Sequence, residues 1–220
     1  MKFNRVWVFD LDNTLHNASP HIFPQINRAM TTYLQTHLEL DEAGAGALRQ
    51  QYWQRYGATL TGLMRNHATD PRHFLRATHD CTALESMVVR EPGLRATLAR
   101  LPGRKLVFSN APVHYASAVL RALGIADLFD DVLSIEHTGY RPKPDSYGFL
   151  KLFRRNRVRA GACIMVEDTL ANLRTAKKLG MSTIWVAGVA GVARAGRVPA
   201  YVDFSVRNLL QLPRLAWQLN

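Results

Sequence analysis

The stretch Arg5–Leu15, RVWVFDLDNTL, constrains this chain more than any other part of it. Val6–Phe9 is a short apolar run of the kind that forms a strand buried on both faces. It stops at Asp10, and Asp12 follows two residues later. Residues i and i+2 project from the same side of an extended chain. Both carboxylates therefore face one spot at the carboxyl end of a central strand, where open α/β sheets place their ligands. Such a pair repels unless a proton or a cation neutralises part of its charge. Taken alone, Asp-x-Asp fits a solvated turn equally well, and the rest of the chain has to decide.

After Thr14 the strand pattern gives way to helical spacing. Phe23, Ile26, Met30, Tyr33, Leu34 and Leu38 recur at helical intervals, then Leu48, Tyr52 and Tyr56 before a break at Gly57. Asp70-Pro71 is an N-cap with proline at the first helical position, opening a third helix through Phe74 and Leu75. Residues 16–87 are thus expected to be an inserted helical cap, placed to cover the end of the first strand. Residues 1–15 and 88–220 are expected to form the α/β core.

Within that core, Glu91-Pro92-Gly93 precedes a helix at Leu94–Leu101. A strand at Leu106–Phe108 ends in Ser109 and Asn110, and a helix over Val113–Leu123 is stopped by Gly124. Val132–Ile135 reads as a strand. The loop GYRPKPD then holds Lys143 between Pro142 and Pro144, which lack donors and fix φ. Cys163–Val166 is a strand ending in Glu167 and Asp168. A helix capped by Asp168 or Thr169 follows it and closes at Gly180, with Lys177 and Lys178 in its last turn. Thr183–Val186 reads as a further strand, Val189–Arg197 as a Gly/Ala-rich loop, Tyr201–Val206 as an edge strand, and residues 208–219 as a terminal helix. Alternating strands and helices predict a right-handed, mostly parallel sheet.

Composition narrows the function classes. The chain has 220 residues and a net charge of +11, from 28 Lys+Arg against 17 Asp+Glu. A basic surface can bind nucleic acid or steer small anions. The densest cluster, Arg154, Arg155, Arg157 and Arg159, lacks interleaved aromatic residues and reads as a solvated face. Cys81 and Cys163 stand in no metal or redox spacing, which points to a reducing compartment. No signal peptide and no apolar run of about 18 residues is evident, so a cytoplasmic protein without a membrane partner is expected. The glycines of residues 189–197 do not make a dinucleotide fingerprint. The histidines show no metal-ligand spacing, and among them His114, just after the second motif, is the one singled out.

Three apolar strands therefore end in Asp10/Asp12, Ser109/Asn110 and Glu167/Asp168, and a stiff loop presents Lys143. All converge on one sheet edge. Carboxylates that dense, with oxygen-only ligands, select a hard cation such as Mg²⁺. A phosphate monoester adds about −1.5 to −2 charge, which Mg²⁺ and Lys143 could hold, with Ser109 and the Asn110 backbone donating hydrogen bonds. A carboxylate can attack phosphorus, and a second can protonate the leaving oxygen and then activate water.

FDLDNTL, FSNAP, RPKPD and MVEDTLANLRTAKKLGM resemble, in order, the four signature motifs of the haloacid dehalogenase superfamily of phosphohydrolases. The resemblance implies a Rossmann-like core with an inserted small helical cap that closes over substrate. It makes Asp10 the nucleophile and Asp12 the general acid/base, with Ser109 and Lys143 on the phosphoryl group. It gives Mg²⁺ the Asp10 side chain, the Asp12 carbonyl and Asp168, with Glu167 contributing directly or through water, and has Asn172 orient the loop near Asp168. A narrower resemblance, to the pyrimidine 5'-nucleotidases, rests on Asn13, on YWQRYGATLTGL and on FSNAP followed by HYA. It implies a small phosphorylated substrate, a nucleotide, and makes Arg55, Tyr56, Gly57 and Thr59 substrate-facing, although Tyr52 and Tyr56, one helical turn apart, read equally well as packing. Motif four is Glu-Asp here, where many such nucleotidases carry Asp-Asp. A phosphoglycolate or sugar-phosphate phosphatase, or a phosphomutase, would share the chemistry. A nucleic-acid binder with a vestigial site is the remote alternative. Asp12 argues against the dehalogenase branch, which lacks it. A monomer or homodimer fits the chain.

Overall fold

A computed structural model describes residues 5–188 and 197–216. Its centre is β1, Val6–Phe9, all four residues of which are buried. β1 lies between β2 (Arg104–Phe108) and β4 (Cys163–Glu167). β3 (Asp131–Leu133), β5 (Ser182–Val186) and β6 (Phe204–Val206) complete a six-stranded sheet in the order β3-β2-β1-β4-β5-β6, with every pairing parallel. Strand order reverses at β1, so the carboxyl ends of β1, β2 and β4 flank a crevice suited to a ligand.

The period-2 geometry of β1 divides the core. Trp7 and Phe9 enter one apolar cluster with Val107, Tyr115 and Val119, while Val6 and Val8 enter another with Phe149, Leu152 and Leu173. Helices cover both faces: α6 (Leu94–Ala99) and α7 (Val113–Ala122) serve the first cluster, α8 (Ser146–Asn156) and α9 (Leu170–Lys178) the second. A strand buried on both faces is what the unbroken apolar run requires.

Between β1 and α6 the chain is helical: α1 (Ile22–Leu38), α2 (Glu42–Tyr56), α3 (Thr59–His67), α4 (Pro71–Thr78) and the single turn α5 (Leu84–Met87). Asp41 and Asp70 cap α2 and α4 by accepting from Gly44 N and Arg72 N at 2.7 and 3.0 Å. These helices hold a third apolar cluster around Leu34, Tyr52, Leu63 and Phe74, to which Ile135 contributes. The chain leaves for and returns from them at a single place, where Asn17 forms an isolated antiparallel bridge with Val89.

Several elements differ from expectation. α3 and α8 were not foreseen: Gly57 reads as a break, and the arginines near residue 155 read as a solvated face before β4. β6 begins at Phe204 rather than Tyr201, and β3 ends at Leu133 because residues 135–140 turn. The expected terminal helix is a 3-10 turn at Leu209–Gln211 followed by α10 (Leu212–Leu215), and residues 217–220 lie outside the described ones. The loop expected at Val189–Arg197 lies outside them except for Arg197. No helix among the described residues is long and apolar enough to cross a membrane.

Gly62 shows why a glycine can sit inside a helix. A Cβ there would overlap the Tyr52 ring, so α2 and α3 approach closely only because Gly62 has none. Gly46, inside α2, has open space around the same position. Gly62→Ala is expected to cost about 1–3 kcal/mol through overpacking, and Gly46→Ala to gain up to about 1 kcal/mol of helix propensity. Thermal denaturation should then order the three proteins Gly46→Ala, wild type, Gly62→Ala. A Gly62→Ala protein melting at or above wild type would contradict this packing.

Candidate active site

Asp10 sits one residue beyond β1, and its N–H still donates to Val166 O at 2.9 Å, so the β1–β4 ladder continues up to the site. Against it lies the ammonium of Lys143, which is buried. Nζ donates to Asp10 Oδ1 at 2.6 Å, to Phe108 O at 2.8 Å and to Glu167 Oε2 at 2.8 Å. Those acceptors belong to the ends of β1, β2 and β4. A lysine has three N–H donors, and all three are engaged. Asn110 fixes the loop that delivers Lys143: its Oδ1 accepts from Lys143 N at 2.7 Å and its Nδ2 donates to Lys143 O at 3.2 Å.

Glu167 is committed inside the protein as well. Oε2 also accepts from Asn172 Nδ2 at 3.0 Å, and Oε1 accepts from Thr169 N at 3.1 Å. Asp168, half-buried, accepts from the Thr169 hydroxyl at 3.2 Å. Ser109 is buried at the end of β2, where its Oγ accepts from Ala111 N at 3.0 Å. Carboxylate oxygens of Asp10, Glu167 and Asp168 all lie within 4.8 Å of one another.

Three carboxylates against one ammonium leave negative charge in a buried place. Burial pushes the Asp10 carboxyl up to about 7, with Glu167 adding to the rise and Lys143 opposing it. Glu167 rises to about 6, chiefly by burial. Burial raises Asp168 also. For Lys143, burial acts to lower the pKa, but attraction to Asp10 and Glu167 wins and holds it above its ordinary value. The arrangement lacks positive charge. An all-oxygen donor set of this density fits a hard divalent cation, which would supply it.

The Asp12 carboxylate stands apart from the acidic group. Its Oδ1 accepts from the Tyr115 hydroxyl at 2.6 Å and meets His16 Nε2 at 3.0 Å. His79, whose ring stands edge-on to Tyr115 with centroids 5.6 Å apart, is pulled down to about 4 by burial and stays neutral. Sequence reasoning missed Tyr115, His16 and His79. The i, i+4 spacing of Asp12 and His16 was a usable signal and HYA contained Tyr115, whereas nothing local ties Tyr115 to Asp12 or announces His79. His114, the histidine singled out beforehand, contacts His79 O at 3.0 Å instead.

A cavity of about 850 Å³ opens between the strand ends and the helices α1–α4. Asp10, Asp12, Ser109, Asn110, Lys143, Glu167, Asp168 and Asn172 all line it. Of the four residues expected to face substrate from the helices, Gly57 and Thr59 line it and Arg55 and Tyr56 do not. Arg55 is exposed at the end of α2. The Tyr56 ring lies between the guanidinium groups of Arg55 and Arg65, at 5.3 and 5.1 Å, and leans on Tyr52, so it packs rather than lines. Another face of α2, carrying Arg49 and Trp53, looks into the cavity instead.

The haloacid dehalogenase-like hydrolase profile matches residues 5–180, and the chain belongs to that family. Among curated proteins it is 26% identical over 200 residues to phosphate metabolism protein 8 of Saccharomyces cerevisiae, covering 82% of this chain and 60% of that protein. It is 28% identical over 212 residues to the phosphoglycolate phosphatase of Rhodospirillum rubrum, covering 90% and 87% of the two chains. Its fold matches the crystal structure of a HAD phosphatase from Thermococcus onnurineus with a TM-score of 0.71, at 20% identity over 96% of this chain and 97% of that one.

The raised pKa of Asp10 makes the site a source of instability without metal. A carboxyl with a higher pKa folded than unfolded binds protons more tightly when folded, so its contribution is full below pH about 4 and is lost as pH rises towards about 7. Asp10→Asn removes that loss. Metal-free Asp10→Asn should melt higher than wild type at pH 8, by roughly 5 °C, with the gap closing by pH 4. A melting point at pH 8 equal to or below that of wild type would show that Lys143 alone compensates the carboxylates.

Proposed function

We propose that this chain is a Mg²⁺-dependent phosphomonoester hydrolase acting through an aspartyl-phosphate, with pyrimidine nucleoside 5'-monophosphates as substrates. One observation carries the chemistry. Asp10, Glu167 and Asp168 converge with Lys143 at the switch point of the sheet, inside a cavity large enough for a nucleotide. Asp10, Asp168, the Asp12 carbonyl and Glu167, directly or through water, would hold Mg²⁺, which offsets charge on the phosphoryl oxygens.

In this reading Asp10 attacks phosphorus, the ester P–O bond breaks, and Asp12 gives its proton to the leaving oxygen. Asp12 then takes a proton from the water that attacks phosphorus, releasing inorganic phosphate and freeing Asp10. Tyr115 and His16 engage one oxygen of Asp12, leaving the other for the transferred proton. Ser109 and the Asn110 backbone bind phosphoryl oxygens. Lys143 joins them by exchanging one of its three present acceptors for the substrate. Asn172 holds Glu167 in place. Residues 16–87 act as a lid hinged at the Asn17–Val89 bridge, with Gly57 and Thr59 facing substrate.

The pyrimidine nucleotide assignment is supported by DLDNTL, YWQRYGATLTGL and FSNAP-x-HYA, and by Gly57 and Thr59 in the cavity wall. Phosphoglycolate or a sugar phosphate is the second reading, favoured by the likeness to the Rhodospirillum enzyme. Phosphate release with Mg²⁺ from UMP, CMP, dUMP, AMP, phosphoglycolate and sugar phosphates separates the two. UMP and CMP should lead, EDTA should abolish release and Mg²⁺ restore it. Asp10→Asn should retain under about 1% of activity. Full activity in EDTA, or a lead for phosphoglycolate, would overturn the metal and the substrate assignment respectively.

A further inference from the structure

The face of α2 turned to the cavity is spaced Gly46, Arg49, Gln50, Trp53, the i, i+3, i+4, i+7 stripe of one helical side. Arg49 is held rigidly: Nη1 donates to Thr31 Oγ1 at 2.7 Å and Nη2 to Asn27 Oδ1 at 2.6 Å. Both partners are neutral. Among the described residues no carboxylate pairs with Arg49, and its buried Nε has no hydrogen-bond partner. Thr61 Oγ1, in the same cavity wall, is buried without a partner too. Arginine has five N–H donors, so this guanidinium brings uncommitted donors and uncompensated charge to the cavity. One turn along, Trp53 stands 62% exposed, which is unusual for a large aromatic side chain that lines a pocket.

We propose that the Arg49–Trp53 face of α2 is the subsite for the base of the leaving nucleoside, a planar, carbonyl-bearing heterocycle. Trp53 stacks on the ring, and Arg49 donates to its carbonyl oxygen. Uracil and cytosine both carry such a carbonyl and adenine carries none, so this subsite deepens the nucleotide reading and rests on it. The phosphoryl group at Asp10 and the base on α2 would occupy the two walls of one cavity, so that closure of the helices reads the base while the strand ends perform the chemistry. The low apolar content of this face follows: Tyr52 and Tyr56 carry the packing on another side of the same helix.

The test compares kcat/KM, with Mg²⁺ present, for UMP and ribose 5-phosphate, which differ by the base alone. Wild type, Arg49→Met and Trp53→Ala are measured on both. Wild type should prefer UMP, and the UMP-to-ribose 5-phosphate ratio should fall roughly tenfold or more in each variant, the scale of one lost base contact. Uridine, which has no phosphate, should inhibit wild type competitively and both variants at least about tenfold more weakly. Ratios that hold in the variants, while wild type prefers UMP, overturn the subsite and leave the nucleotide reading intact. A wild type that makes no distinction between the two substrates overturns the nucleotide reading and the base subsite with it. If methionine at 49 disturbs the α1–α2 packing, the exposed Trp53 variant decides the outcome alone.

Discussion

The ammonium of Lys143 is the point on which this structure turns. It ties the ends of three adjacent strands, β1 through Asp10, β2 through the Phe108 carbonyl and β4 through Glu167, with one donor for each. A buried charge is tolerated only when paired and hydrogen-bonded, and here both conditions are met on every side. The loop that carries it is in turn clamped by Asn110, so a residue far along the chain is registered against the first strand. The pairing is nevertheless incomplete as a charge balance. One cation faces Asp10, Glu167 and Asp168, and burial drives all three carboxyl groups upward. Such an arrangement is suited to a further cation rather than to stabilising the fold, which is how buried functional charges differ from structural ones.

Around that point the fold divides its labour. The sheet supplies rigidity: four residues of β1 buried on both faces, with parallel neighbours in register on either side. The helices α1–α4 keep a separate apolar cluster and are connected to the core region where Asn17 meets Val89. In the proposed reaction the first part provides chemistry common to many phosphate esters, and the second provides selection among them. Asp12 sits between the two roles, gripped by Tyr115 from α7 and by His16 from the segment that leads into the helices.

What the sequence revealed follows from the range of the forces involved. Apolar runs that end abruptly in polar residues are local signals, and they marked the ends of β1, β2 and β4 and with them Asp10, Ser109 and Glu167. Lys143 could be placed because two prolines stiffen its loop. The helix α8 was hidden although Asp145 caps it, accepting from Tyr147 N at 2.8 Å, and Phe149 and Leu152 follow at helical spacing. The arginines that follow read as a solvated face and not as the last turn of a helix. α3 was hidden behind the break at Gly57, and the glycine inside it, Gly62, is explained only by the Tyr52 ring of another helix. In α2, Tyr56 was expected to face substrate although Tyr52 and Tyr56, one turn apart, read equally well as packing, and they pack. Which face of a helix meets a cavity is settled by its neighbours. Tyr115 belongs to the same category, because 103 residues separate it from the Asp12 carboxylate it touches.

The central claim is that Asp10 becomes covalently phosphorylated during turnover. Mixing the enzyme with Mg²⁺ and ³²P-labelled UMP, quenching in acid within milliseconds and sequencing the labelled peptide tests it directly. A hydroxylamine-labile phosphoryl group on Asp10 is the expected result. Rapid turnover with no label at any quench time, or label fixed to a different residue, would contradict it.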